Sequence, residues 1–126
     1  MGLIYSNIKL SNPANSKLAA IDVEALADTG AMHLCIPETI AIQLKLKEFD
    51  KRPVTIANGQ TEMCSYVGPI KVDFKGRISL TGALVLGNKV LLGAIPMEDM
   101  DIVLHPLTRK VVPNPNSPNI PASIAM

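Results

Sequence analysis

The sequence predicts an all-β domain with one or two short helices. Apolar residues recur at every second position in short runs, and Gly, Pro and Asn separate those runs. At 126 residues the chain is the size of one domain and long enough to bury roughly two-thirds of its unfolded surface. It has no internal repeat, and its mean hydropathy of +0.26 implies a packed core.

The first run, Ile4 to Leu10, sets Ile4, Ser6, Ile8 and Leu10 on one face, and SNPANS then turns the chain. Lys17 to Ala27 returns. Val54 to Ala57 and Gln60 to Val67 flank Asn58-Gly59, a pair suited to a two-residue hairpin turn. Gly68-Pro69 interrupts the second arm, Ile70 to Phe74 resumes it, Lys75-Gly76 turns it, and Ile78 to Leu86 comes back. Val90-Leu91-Leu92 is a short buried run. Asp101 to Leu104 and Lys110 to Val112 form a last pair around HPLTR. Pro37-Glu38 suits a helix start, but Ile40, Ile42 and Leu44 also alternate, which leaves helix and strand both open. Pro96 to Met100 fits one helical turn. Residues 1–113 thus form the domain, and 114–126, uncharged and rich in Pro and Asn, read as a flexible tail.

Composition excludes several functions. Tyr5, Phe49, Tyr66 and Phe74 are the only aromatic residues, too few for a base-stacking platform. A net charge of +1 supplies no field for phosphate backbones or anionic membranes. Neither nucleic acid nor membrane is therefore an expected partner. Cys35 and Cys64 read as buried thiols, since two cysteines make no disulfide scaffold and no zinc-ligand spacing is present. The N-terminus carries no signal-peptide pattern, although Gly2 and Ser6 fit a loose N-myristoylation motif. A cytoplasmic location is the expectation.

One segment carries chemistry. ALADTGAMHLCIP, Ala25 to Pro37, puts Asp28 after an apolar strand and before Thr29-Gly30. That order sets a carboxylate on a tight turn, where glycine lets the backbone approach it and donate an N–H. Taken alone, the tripeptide reads more readily as an ordinary Asp-initiated turn at a strand end.

Around that loop the sequence resembles the retropepsin-like aspartic proteases, in chain order and over nearly all of Gly2 to Pro113. A hairpin leads into ALADTGA, which matches the family's apolar-apolar-Asp-Thr-Gly-Ala/Ser loop; VTIANGQTE stands where the family has its flap; and GALVLGNKVLLGAIPM matches its late apolar-apolar-Gly signature. The small prokaryotic members, which end in a hydrophobic strand and a basic turn like DIVLHPLTRKVV, are the most similar group. The resemblance implies a closed β-barrel equal to half of a pepsin-like enzyme. Only Asp28 has the Asp-Thr-Gly setting, so an active enzyme implies a homodimer in which two copies of Asp28 activate a water on an extended polypeptide. No metal and no cofactor is implied.

The resemblance also implies roles. Thr29 ties the two loops together across the dimer, Gly30 turns its N–H toward Asp28, and Ala31, where many relatives carry Ser, leaves out a hydroxyl and implies activity at mildly acidic pH. Ala57, Asn58, Gly59, Gln60 and Thr61 form the flap over substrate. Leu91, Leu92 and Gly93 support the catalytic loop from beneath without touching substrate. The single flap glycine and the proline-rich end depart from the viral members, leaving Val111-Val112 as the candidate interface strand. His33 and Cys35 share a strand face but lack the orienting group of a Cys-His nucleophile, and Glu98, Asp99 and Asp101 read as a solvated helix end. The alternatives are a non-catalytic dimerisation or peptide-binding module on the same fold, and an unrelated small barrel.

Overall fold

The computed structural model describes residues 3–125. The glycine of the acylation motif, Gly2, lies outside the described residues. In chain order the elements are β1 (Tyr5–Ser11), β2 (Ile21–Ala27), β3 (Leu34–Ile36), α1 (Glu38–Gln43), β4 (Lys47–Thr55), β5 (Thr61–Phe74), β6 (Arg77–Val85), β7 (Val90–Leu92), α2 (Ala94–Met100), β8 (Ile102–His105) and β9 (Lys110–Pro113).

Six strands close on themselves in the order β1-β2-β7-β3-β6-β5, and the end of β5 returns to β1 through Lys9↔Asp73 and Ser11↔Lys71. Closure removes the free sheet edges. β4 stands outside the ring, paired along the first half of β5, so these two arms project as a ribbon. The β8–β9 hairpin is a separate small sheet. The barrel is filled by aliphatic side chains: Leu10, Leu34, Ile36, Ile70, Val72 and Leu92 are all fully buried, with Phe74 almost so. Neighbours such as Lys9 face outward, as the period of two requires.

The segment after Pro37 is a helix. Its Ile40, Ala41 and Leu44 face the core while Ile42 is 66% exposed; a strand would have set Ile42 on the face of Ile40 and Leu44. The return after SNPANS begins at Ile21, later than the alternation suggests, because Asn12 and Asn15 each close a turn first. Gly68-Pro69 does not end the strand; β5 runs through it with a shift of register against β6 between Val67 and Ile70. In the projecting ribbon the loop has three residues, Ala57 to Gly59. Ile56 N–H donates to Gln60 O at 2.9 Å, Gly59 N–H to Ile56 O at 2.9 Å, and only Gly59 takes a positive φ, 85°. That is a type I turn closed by a left-handed glycine. Val111 packs into the core at 3% exposure and so offers no interface side chain.

Residues 114–125 form neither helix nor strand, yet one carboxylate gathers them. Glu98 and Asp99 are exposed, but Asp101, in the left-handed region that Asp tolerates, turns inward at the end of α2. Asn114 Nδ2 donates to Asp101 Oδ1 at 2.9 Å, Ala122 N–H to Oδ2 at 2.9 Å, and the Ser117 hydroxyl also donates to Oδ2. Buried Arg77 completes the cluster through the carbonyls of Asp101 (2.9 Å), Met100 (3.3 Å) and Ser117. The hydrogen bond from Ser117, followed by those from Ala122 and Asn114 and by the nearby Arg77 charge, brings the Asp101 carboxyl down from 3.8 to about 2. A carboxyl depressed in the folded state stabilises that state above its unfolded value and loses the contribution as it protonates. The clamp is therefore expected to hold above about pH 4 and to open as pH falls toward 2. Protection of the Ala122 amide, the slowing of its exchange relative to an unstructured amide at the same pH, should fall over that window, and Asp101→Asn should show the low protection already at pH 7. Equal protection in both proteins would contradict the clamp.

Candidate active site

Asp28 follows β2 immediately, and the barrel fixes its backbone from both sides. Its N–H donates to Leu92 O of β7 at 3.0 Å, its carbonyl accepts from Ala31 N–H at 3.1 Å, and the preceding Ala27 N–H reaches Ile4 O at 2.8 Å. Gly30 N–H donates to Asp28 Oδ1 at 2.9 Å. A side chain at Gly30 would put its Cβ 3.1 Å from that oxygen, so glycine here serves close approach to the carboxylate. Asp28 is half-buried, and Thr29 and Gly30 are exposed.

The loop is braced by α2. Ala94 N–H donates to Ala31 O at 2.8 Å and Ile95 N–H to Met32 O at 2.9 Å, so the free N–H groups at the start of the helix hold the loop's carbonyls. Gly93 makes the approach possible, since a Cβ there would lie 2.3 Å from His33 O and 2.8 Å from Ala31 O. Leu92 is fully buried behind the loop, whereas Leu91, half-buried, turns its side chain to an open cleft.

Two clefts meet at Asp28. The larger, about 670 Å³, runs from the loop past Met32 and His33 to Arg52, Val54, Ile56 and Ala57 of the projecting ribbon. The other, about 500 Å³, lies between the loop, Leu3 and Ile4, and the β8–β9 hairpin at Leu104 and Pro106. Of the residues read as the flap, Ala57 borders the larger cleft, while Asn58, Gly59, Gln60 and Thr61 are exposed at the ribbon's tip. Asn58 caps that turn, accepting from Gln60 N–H at 2.9 Å.

Several groups at the cleft have no signature in the sequence. Arg52 lays its guanidinium over the Tyr66 ring, 3.8 Å from its centre, and His33 meets the same ring edge-on at 5.9 Å. The ring fills the space left by Gly82, where a Cβ would fall 2.2 Å from it. Cys35 and Cys64 are buried free thiols. Burial first, then Cys64 and Asp28, push Cys35 up to about 11, so it stays a thiol and no thiolate nucleophile is available at neutral pH. Burial, and then Arg52, lower His33 below its ordinary 6.5. Among the described residues no cluster of three or more His, Cys, Asp or Glu is placed to hold a metal ion, and no helix is long and apolar enough to cross a membrane.

No protein-family model and no curated protein matches the sequence. Among solved structures the chain is similar to the retroviral EIAV protease complexed with the inhibitor HBY-793, with a TM-score of 0.60 and 18% identity, over 79% of this chain and 88% of that one. The barrel with its two short helices therefore has the retropepsin-like fold.

Proposed function

We propose that the chain is an aspartic endopeptidase that works as a homodimer. The observation that carries this reading is the placement of Asp28: a half-exposed carboxylate on an Asp-Thr-Gly loop, oriented by Gly30 N–H, where two clefts meet on a retropepsin-like barrel.

In this reading the second copy stands against the smaller cleft, so the two Asp28 carboxyls face each other across a two-fold axis. Thr29 is exposed beside that cleft, and in this dimer it ties one loop to the other. Two carboxyls at about 3 Å cannot both ionise, and the pair holds one proton. The ionised Asp28 takes a proton from water, whose oxygen attacks the peptide carbonyl carbon, while the protonated Asp28 donates to the carbonyl oxygen. The proton taken from water passes to the amide nitrogen as the tetrahedral intermediate collapses and its C–N bond breaks, while one hydroxyl of the intermediate returns a proton to the Asp28 that had donated one, which leaves a carboxylic acid and an amine and restores the single shared proton.

The larger cleft receives an extended polypeptide, and the ribbon tip at Ala57 to Thr61 closes over it to exclude water. Leu92 and Gly93 hold the loop's shape, and Leu91 adds an aliphatic wall facing the substrate. No metal or cofactor takes part. The experiment is a digest of unfolded casein from about pH 4 to about pH 7 by the wild-type chain and by Asp28→Asn. Fragments from the wild type alone support the reading; fragments from both proteins, or from neither, overturn it.

A further inference from the structure

The larger cleft is aliphatic along most of its wall, and Arg52 is the one arginine or lysine that lines it. Arg52, Val54 and Ile56 are half-buried alternate residues of the ribbon, while Pro53 and Thr55 between them are exposed. A strand advances about 6.7 Å per two residues. An extended peptide lying along the ribbon has the same pitch, so one of its side chains meets Val54 or Ile56 while the side chain two positions away meets Arg52.

The guanidinium is set up to receive an acceptor. Its Cζ lies over the Tyr66 ring, 3.8 Å from the ring centre, a cation–π contact that holds it in place. Tyr66 is in turn seated in the space over Gly82. Nε donates to Asp50 Oδ2 at 3.4 Å, with the two side chains 40% and 57% exposed, so this pair is weakened by water. The two terminal nitrogens make no hydrogen bond among the described residues. A planar fork with both ends free matches a carboxylate in bidentate geometry. His33, the nearest other basic group on this wall, is held toward its neutral form by burial, leaving Arg52 as the local source of positive charge.

We infer that Arg52 makes this cleft selective for polypeptides with an acidic side chain two positions from an aliphatic one, next to the cleaved bond. The inference rests on the proteolytic reading of the cleft and adds a substrate class to it. Arg52 acts on binding and positioning, not on the acid-base step.

The test uses peptide pairs identical except for Glu or Gln at that position, acetylated and amidated so that the side chain supplies the only carboxylate there. Wild type is expected to cleave the Glu peptide with a kcat/KM about tenfold higher, the size of one charge-assisted contact, with the difference mainly in KM. Arg52→Met should remove the preference, Arg52→Lys should keep part of it, and Gly82→Ala, which displaces the Tyr66 ring, should weaken it. An unchanged Glu-to-Gln ratio in Arg52→Met overturns the inference and leaves the proteolytic reading standing. The same peptides, labelled, are titrated into Asp28→Asn and followed by fluorescence anisotropy. Preferential binding of the Glu peptide by a chain whose wild type cleaves nothing would overturn proteolysis and retain the Arg52 site, and equal binding of both peptides overturns the site whatever the activity.

Discussion

Asp28→Asn should lower kcat for peptide cleavage by about three orders of magnitude or more, within the range contributed by a positioned acid-base group. The substitution preserves shape. Asn keeps an oxygen to accept from Gly30 N–H, which now lies 2.9 Å from Asp28 Oδ1, and the backbone bonds to Leu92 and Ala31 involve no side chain. What disappears is the capacity to take a proton from water in one subunit and to donate one in the other. Turnover of a single peptide under saturating conditions, beside thermal melts and sedimentation of both proteins, is the measurement. Loss of kcat with stability and association unchanged is expected. A variant retaining activity within about tenfold would remove Asp28 from the acid-base step.

Gly93→Ala should be among the most damaging single-methyl changes in the chain. The added Cβ would lie 2.3 Å from His33 O and 2.8 Å from Ala31 O and the Met32 carbonyl carbon. All of these are backbone atoms, so no side-chain rotation relieves the contact. The loop cannot simply withdraw either, because its carbonyls at Ala31 and Met32 are held by Ala94 and Ile95 N–H. Overpacking of this kind costs about 3 kcal/mol, or roughly 10 °C of melting temperature in a domain of this size. Surviving folded protein should have lost activity, since the same displacement moves the Asp28 loop. A melting temperature within about 2 °C of wild type would show that the contact relaxes at little cost.

The barrel was legible where the residue period is simple. Ile8, Leu10, Val72 and Phe74 alternate with polar neighbours, and each strand they define is present. β3 was harder to read because Leu34, Cys35 and Ile36 are all buried; a three-residue run covered on both sides has no alternation to show. Most of β4, KEFDKRP, is largely exposed, because it belongs to the ribbon and not to the barrel. Asp28, Thr29 and Gly30 stood out by their order in the chain. Arg52, Tyr66, His33 and Gly82 did not, because they come from four segments that meet only when β3, β4, β5 and β6 pair. The Asp101 clamp was equally hidden: its partners lie 13, 16 and 21 residues downstream in a stretch of Pro and Asn, where composition records a lack of periodicity but not a carboxylate that collects stray donors.

The pairing of two Asp28 copies is tested most directly by mixing. Wild-type chain is refolded alone and with an equal amount of Asp28→Asn chain, and cleavage of one peptide is measured at the same wild-type concentration. Random pairing places about half of the wild-type subunits in mixed dimers with a single carboxyl, so activity should fall to about half. Activity unchanged by the variant, in a sample where native mass spectrometry shows the mixed dimer, would mean that one Asp28 suffices and would contradict the two-subunit site.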